Sequence, residues 1–269
     1  MKRLIAIVFV GVFLLSGVVN ATSYNLESTF SVSGIWRIDG LAFDDSTGHL
    51  FGVNAASTDR LYEFTTDGTL INSFSLGFLP GVGASRSLTY NSHTGSLYLG
   101  EGVEGRIYEV TTNGTQVGIL TSMHSKGLAY NSSTNTLFAS DIGLISEIDT
   151  GNGNLLNSFN ALNSPENHIR GIAFNGSNIL AYETRGKRIY ELNSTNGEVI
   201  NSFGVDIPTY ETGLTFVEGK IYTFNNATDE FHVYAPIPEP TTMLLLGTGL
   251  VGLAGTRRKN KKRVRISHT

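Results

Sequence analysis

The feature that most constrains the fold is an internal repeat with a period of about 42 residues. Five segments share one opening, and the Leu or Ile at the centre of each opening lies 47, 40, 44 and 42 residues from the next. The openings read DGLAF (39–43), RSLTY (86–90), KGLAY (126–130), RGIAF (170–174) and TGLTF (212–216). Units of this length cannot bury an apolar face alone, so each must pack against its neighbours.

Each repeat divides into short apolar runs separated by polar turns. In the second repeat the opening is followed by SLYLGE (96–101) and then RIYEV (106–110), and the third repeat adds NLLNSF (154–159). Alternating apolar and polar residues between Gly, Asn, Ser and Thr turns are typical of β-strands. Four strands in each unit are the mark of a propeller blade. The sequence therefore predicts an all-β, five-bladed β-propeller of residues 22–235, with an open solenoid or a sandwich as the alternative.

The fifth repeat lacks a fourth strand, because its third strand runs directly into Ala235 and Pro236. A matching segment stands at the other end of the domain, where LESTFSVSG (26–34) has the pattern of LINSFSLGF (70–78). We predict that this N-terminal strand completes the last blade and closes the ring. Closure removes the unpaired sheet edges that an open array would leave at its two ends.

Both ends of the chain carry export features. Lys2 and Arg3 precede an apolar run (4–19) that leads to Val19-Asn20-Ala21. A positive start, an apolar core and a small residue at the exit predict a signal peptide over residues 1–21, cleaved after Ala21.

The other end, residues 236–269, combines a proline-rich motif, an apolar segment (241–255) and a basic tail. A 15-residue helix spans about 22 Å at 1.5 Å per residue, less than the ~30 Å hydrocarbon core of a bilayer. The sequence therefore predicts a short C-terminal hydrophobic helix that serves as a transient membrane anchor. The motif consists of Pro238, Glu239 and Pro240, and the basic tail begins with Arg257 and Arg258.

This tail resembles the PEP-CTERM sorting signal, which pairs a Pro-Glu-Pro motif with a Leu/Gly-rich helix and an arginine cluster. The resemblance implies recognition by an exosortase-type membrane protease and transport by the secretion machinery. It implies a Gram-negative bacterium that produces exopolysaccharide. It also implies export across the inner membrane, to the cell surface or the medium.

Charge and composition limit the function of the domain between these ends. Residues 22–240 contain ten basic and 23 acidic residues, a net charge of −13. A domain this acidic repels phosphate backbones, so we expect no nucleic-acid partner. The chain has no cysteine, which excludes disulfides and a cysteine nucleophile. Motifs of serine hydrolases and zinc proteases are absent as well, so the sequence favours a non-catalytic role and requires no cofactor.

Aligned repeats place two rings of polar residues near the central channel. The first ring precedes the inner strands, and its basic members are Arg86, Lys126 and Arg170. The second ring ends the second strands, and it consists of Asn54, Glu101, Asp141, Glu183 and Asn225. Three carboxylates and two amides offer hard oxygen ligands for Ca²⁺ or Mg²⁺. The competing interpretation, which we favour, is that each basic residue neutralises the carboxylate of its own blade.

The repeats are also similar to NHL, streptogramin-lyase-like and lactonase-type propellers. Lactonase-type propellers use acidic and Asn side chains at a channel metal, so this resemblance implies an alternative function as a divalent-metal-dependent hydrolase or lyase. Our leading hypothesis is a binding protein for exopolysaccharide or for a protein of the extracellular matrix. A purely structural matrix protein is the third hypothesis.

Overall fold

The computed structural model describes residues 22–237, apart from residues 33, 36, 55–58, 81–85, 164–167 and 206–212. The signal-peptide residues with Ala21, the Pro-Glu-Pro motif, the predicted 241–255 helix and the basic tail lie outside the described residues. Regular structure in the described part consists of twenty β-strands and one short 3₁₀ helix, Ala161–Asn163. No helix within that part is long and apolar enough to span a bilayer.

The twenty strands form five four-stranded antiparallel sheets, the blades of a propeller. The first blade contains β2 (Gly40–Asp44), β3 (His49–Asn54), β4 (Arg60–Phe64) and β5 (Leu70–Ser75), and the second contains β6 (Arg86–Asn91), β7 (Ser96–Glu101), β8 (Arg106–Thr111) and β9 (Gln116–Thr121). The third contains β10 (Gly127–Asn131), β11 (Thr136–Asp141), β12 (Leu144–Asp149) and β13 (Leu155–Asn160). The fourth contains β14 (Ile169–Phe174), β15 (Asn178–Glu183), β16 (Arg188–Asn193) and β17 (Val199–Gly204). The fifth contains β18 (Leu214–Val217), β19 (Lys220–Asn225), β20 (Glu230–Pro236) and β1 (Tyr24–Ser31).

The predicted closure of the ring by the N-terminal strand is confirmed. β1 pairs with β20, in a register that places Tyr24 opposite Pro236 and Phe30 opposite Phe231. The first strand of each blade lies innermost and contacts the innermost strands of both neighbouring blades. The five-bladed, all-β fold is therefore the one that the repeats predict.

Each blade packs on the next through its own apolar core. Among the described residues there are five buried clusters, and each joins side chains from two adjacent blades. The cluster at the closing interface combines Leu41 and Phe64 of the first blade with Phe224 and Phe231 of the fifth. Because alternate residues of a strand point to opposite faces, each blade supplies both of its faces to a core. This accounts for the nearly continuous burial of the second strands.

In three blades, an aromatic residue near the end of the outer strand packs against the neighbouring blade. Phe30, Phe74 and Phe159 pack against the turn between the third and fourth strands of the following blade. In each case the contacted turn residue is a glycine with positive φ, as at Gly197 (φ +75°), where a Cβ would overlap the Phe159 ring. Glycine is needed there for its backbone conformation and for the space that it leaves.

The propeller has two different ends, which we call the loop face and the hairpin face. The loop face carries the starts of the inner strands and the ends of the second strands, together with the connections between blades. The hairpin face carries the short hairpins that join the first to the second strand and the third to the fourth. The described chain leaves the propeller at the hairpin face, where the Ile237 N–H donates to the Ser23 carbonyl over 2.7 Å.

Candidate functional site

The central channel is narrowest just inside the loop face. Four of the five inner strands have a glycine there, namely Gly40, Gly127, Gly171 and Gly213, and the second blade has Ser87. A Cβ at Gly40 would lie 2.7 Å from the Leu88 nitrogen of the next blade, closer than real Cβ contacts. The space at this constriction is about 10 Å³, and the cavity below it is about 100 Å³. Such a channel accommodates a few water molecules but not a polymer chain, so a large ligand must bind outside it.

The second predicted ring does not converge on the channel. The mouth is lined by the inner strands with Asp39 and Lys126, and none of Asn54, Glu101, Asp141, Glu183 and Asn225 is among the lining residues. These five residues instead end the second strands, each beside the turn that leads to the third strand of its own blade. Within the described residues, no three His, Asp or Glu side chains are grouped in a way that could hold a metal ion.

Four members of this ring accept hydrogen bonds from the backbone of that turn. The Glu183 carboxylate accepts the N–H groups of Arg185 and Gly186 over 2.9 and 2.6 Å. Glu101 accepts those of Val103 and Glu104 in the same way. Asn54 and Asn225 accept the N–H groups of Arg60 and Ala227 over 3.0 and 2.9 Å, and the half-buried Asp141 accepts that of Gly143 through its backbone carbonyl over 2.7 Å. Four of the five side chains of this ring therefore stabilise the turns that follow them.

The basic ring divides into one fully buried member and two partly exposed ones. Arg86 is completely buried, and its Nη1 lies 3.3 Å from Glu101 Oε1 of the same blade. Its Nη2 lies 3.2 Å from Asp59 Oδ1 of the first blade, a contact that the repeat alignment does not predict. Lys126 stands at the channel mouth, and Arg170 begins the inner strand of the fourth blade; both are half-buried.

Two acidic groups at the loop face are bound by arginines. Burial raises the pKa of Asp59, the charge and hydrogen bond of Arg86 oppose that rise, and the charge of Glu101 adds to it. The other group is Asp39, whose buried carboxylate accepts a hydrogen bond from Arg37 Nε over 2.8 Å. Arg37 itself has a positive φ of 69°. Trp36, which precedes it in the sequence, lies outside the described residues.

The basic residues of the domain are concentrated at one face of the propeller. The repeat alignment does not predict this distribution. All ten basic residues between positions 22 and 237 are described, and nine of them lie at the loop face. These nine are Arg37, Arg60, Arg86, Arg106, Lys126, Arg170, Arg185, Lys187 and Arg188. The tenth, Lys220, lies at the hairpin face and pairs with Glu27 over 2.5 Å. A usable signal was present in the sequence, since Arg repeatedly begins the third strand, as in RLYEF, RIYEV and RIYEL.

Carboxylates are divided more evenly between the two halves. Eleven described acidic residues lie in the half nearer the hairpin face: Glu27, Asp44, Asp45, Glu63, Asp67, Glu109, Glu147, Asp149, Glu191, Glu198 and Glu218. The eight described ones at the loop face include Asp39, Asp59 and Glu101, which are paired with arginines or bound to turns. Arg185 and Lys187 are exposed on the turn of the fourth blade. Among the described residues the loop face is therefore close to neutral, with nine basic and eight acidic side chains, whereas the hairpin half carries eleven carboxylates and one lysine.

Comparison with known proteins identifies the C-terminal segment and the fold. Residues 236–259 match the family model described as the PEP-CTERM protein-sorting motif. No curated protein has significant sequence similarity to the chain.

Among solved structures, the glutaminyl cyclase of Myxococcus xanthus superimposes with a TM-score of 0.65 at 15% identity. The match covers 80% of this chain and 98% of that one. A chain of a nidogen/laminin complex superimposes with a TM-score of 0.52 at 14% identity, covering 64% of this chain and 65% of that one. At such identities the likeness concerns the fold alone.

The sorting motif begins at Pro236, where the last strand of the propeller ends. It implies export and membrane-associated sorting by an exosortase in a Gram-negative bacterium. The chain is an exported five-bladed β-propeller protein that carries a PEP-CTERM protein-sorting motif.

Proposed function

We propose that this chain is a surface-displayed, non-catalytic binding protein that recognises an acidic extracellular polysaccharide through its loop face. The observation that carries the proposal is the distribution of basic residues: nine of the ten lie on the loop face, beside eight described carboxylates, whereas the hairpin half has one lysine and eleven carboxylates. A carboxylate-bearing polymer is repelled least at this face, and the exposed Arg185 and Lys187 side chains offer it cationic partners there.

The point at which the chain leaves the propeller also favours the loop face as the binding surface. The propeller ends at Ile237 on the hairpin face, and the apolar segment begins only four residues later, at Thr241. Four residues reach at most about 14 Å. While that segment is embedded in the membrane, the hairpin face is held next to the bilayer and the loop face points away from it. The loop face is then the surface that meets extracellular polymers.

Several separate basic side chains on one face suit a long ligand better than a small one. Lys126 and Arg170 begin adjacent inner strands close to the channel, and Arg185 and Lys187 lie on the hairpin of the fourth blade. The closed channel keeps the ligand on the surface, where bonds to a polymer are spread over several charged groups. A sparsely charged glycan is favoured over nucleic acid, because DNA carries one charge per about 1.7 Å and is repelled more strongly by the acidic remainder of the domain.

The experiment is a binding assay of the purified protein with polygalacturonate, with neutral dextran as the comparison polymer. We expect binding to polygalacturonate that weakens as salt is raised, because exposed charges are screened within about 8 Å at physiological ionic strength. Replacing Arg185 and Lys187 by Glu should weaken binding about tenfold, since each lost surface contact is worth roughly 0.5–1 kcal/mol. Lys220→Glu is the matched control on the hairpin face and should leave binding unchanged. Equal binding to dextran, or equal loss with Lys220→Glu, contradicts the proposal.

The metal-dependent hydrolase remains the rival hypothesis, and it makes a different prediction. It requires Glu101, Asp141 and Glu183 to share a Ca²⁺ or Mg²⁺ ion, whereas the carboxylates of Glu101 and Glu183 bind backbone N–H groups of separate turns. A shared site would raise the melting temperature with millimolar Ca²⁺ or Mg²⁺, since an ion that binds only the folded state stabilises it. A rise that Glu183→Gln abolishes would replace our proposal by the enzyme hypothesis.

A further inference from the structure

The outer strands of the blades share a sequence pattern that the fold uses only in part. Three of them read aliphatic–aliphatic–Asn–Ser–Phe: LINSF (70–74), LLNSF (155–159) and VINSF (199–203). The last three positions all have structural contacts. The phenylalanines pack between blades, and the serine hydroxyls of β5 and β17 accept hydrogen bonds from Arg60 and Arg188 over 2.7 and 2.9 Å.

The asparagines also form hydrogen bonds, and two of the three link neighbouring blades. Asn157 donates to the Thr195 carbonyl of the next blade over 2.9 Å, and Asn201 donates to the Thr22 carbonyl over 2.6 Å. Asn72 donates to Glu63 Oε2 in its own blade over 2.8 Å. The aliphatic pair is thus the part of the repeated motif that the folded chain does not bury.

Exposure of these aliphatic side chains recurs on all five outer strands. Leu155 and Leu156 are 55% and 56% exposed. The other members are 37–60% exposed, and they are Leu26, Leu70, Ile71, Val117, Ile119, Val199 and Ile200. Each of these strands also has one unpaired backbone edge, because it is the last strand of its sheet. Exposed apolar edge strands are templates for pairing with another chain.

Charged residues, which usually prevent such pairing, are missing from four of these edges. β5, β9, β13 and β17 contain no Asp, Glu, Lys or Arg, and in β1 Glu27 is neutralised by Lys220. The domain between residues 22 and 240 carries a net charge of −13, so two copies repel each other over most of their surface. At the outer edges they meet without like charges in contact.

We infer that the outer edges are a self-association surface, on which a second copy of this chain docks laterally, edge strand against edge strand. The position of the chain exit favours this occupant. Because at most about 14 Å of chain separates the hairpin face from the apolar segment, copies sorted to one membrane stand in the same orientation. Their edges then face one another at the same height.

Each contact is small, and its smallness makes it dependent on crowding. Two or three aliphatic side chains on each edge bury far less than the roughly 1,200 Å² of a stable interface. A single edge contact is therefore weak in dilute solution. On a membrane the five edges of each propeller allow several contacts at once, and the raised local concentration strengthens the assembly.

Because the chain has no cysteine, single-cysteine variants report the contact directly. The full-length chain is expressed with its own signals in a host that has an exosortase, and intact cells are treated with a short bis-maleimide.

Leu156→Cys on β13 should give covalent dimers in several-fold greater yield than Ser132→Cys, an exposed position in a hairpin turn of the same blade. Adding Leu155→Lys should remove the Leu156→Cys dimers, whereas adding Leu155→Val should retain them. Both residues are more than half exposed, so neither change disturbs the core.

Three outcomes would overturn the inference. Equal yields from the two cysteine positions would show random collisions. Dimers from an Arg185→Cys variant in excess of those from Leu156→Cys would show stacking of faces in place of lateral contact. An environment-sensitive fluorophore on Leu156→Cys that reports an apolar surrounding, without any cross-linking, would assign the edges to lipid. Since Leu156 is remote from the loop face, none of these results affects the polysaccharide proposal.

Discussion

The Arg86 guanidinium of the second blade lies 3.2 Å from the Asp59 carboxylate of the first blade, and both side chains are almost fully buried. Glu101 contacts the same arginine from the other side at 3.3 Å. One cation thus holds two acids across a blade interface at the loop face. Removing a single partner from a buried ionic group of this kind leaves an unpaired charge in the protein interior.

The pH dependence of stability should distinguish Asp59 from a carboxylate at the opposite face. Burial raises the pKa of Asp59 above its ordinary value of 3.8, so its stabilising contribution is complete below that value and is lost as pH rises through the folded-state pKa. Asp44 is the control. Burial favours its neutral form, but hydrogen bonds from Ser46 and Thr47 outweigh that effect and lower its pKa. Its contribution is present above 3.8 and is lost as pH falls through the folded-state pKa.

The measurement is urea unfolding of the wild type, Asp59→Asn and Asp44→Asn at a series of pH values between about 3 and 7. The free energy of unfolding of the wild type minus that of Asp59→Asn should decrease as pH rises. The same difference taken with Asp44→Asn should decrease as pH falls. Two differences that change in the same direction would show that the environments of these carboxylates are not as described.

The strands and their grouping could be predicted because each repeat has strong local patterns. The first-strand openings and the RIYEV-type third strands alternate apolar and polar residues between turn residues, and these patterns do not depend on distant contacts. Closure was predictable for the same reason, since residues 26–34 resemble a fourth strand. The register of β1 on β20 follows from placing Phe30 on the core beside Phe231.

The arrangement of charged residues at the loop face was less predictable, because it depends on which blades are neighbours and where strands end. Asp59 and Arg86 are 27 residues apart and belong to different blades, so the alignment of repeats does not pair them. The acidic ring was expected to face the channel. Glu183 and Glu101 instead bind the N–H groups of their own turns, which is a local preference of side-chain acceptors next to unpaired donors. Net charge also conceals the concentration of basic residues at the loop face, since charge summed over the sequence carries no information on position.

Two glycines with the same backbone conformation should differ in their tolerance of a side chain. Gly197 and Gly48 both have φ of +75°, but a Cβ at Gly197 would overlap the Phe159 ring whereas a Cβ at Gly48 meets nothing within 4 Å. Gly48→Ala should cost about 1–2 kcal/mol from backbone strain. Gly197→Ala should cost about 1–3 kcal/mol more, because it overpacks the contact between the third and fourth blades. Urea unfolding of both variants tests this. Equal losses in the free energy of unfolding would contradict the proposed contact between Gly197 and Phe159.

The strand that closes the ring offers a second matched pair. Phe30 and Leu26 both lie on β1, but the Phe30 ring stacks on Phe231 at 5.0 Å between centroids whereas Leu26 is 48% exposed. Phe30→Ala should lower the free energy of unfolding by about 2 kcal/mol, because it removes a large, partly buried aromatic side chain that packs against the core. Leu26→Ala should change it by less than about 0.5 kcal/mol. A similar loss for both would mean that β1 is held mainly by its backbone hydrogen bonds.

The sorting motif should be separable from the fold. Arg257 and Arg258 follow the apolar segment 241–255, and the motif matched by the family model includes both residues. Replacing them by Gln removes the positive charge that holds the end of the segment at the cytoplasmic side. The variant should be exported but not processed, and it should accumulate in the inner membrane with its C-terminal segment attached.

Fractionation with detection by size checks this, and Lys220→Gln is the control for loss of a basic residue within the propeller. Because every strand of the ring lies between Tyr24 and Pro236, the melting temperature should not change. Surface display of the Gln variant at wild-type levels would show that the arginines are not part of the signal in this chain.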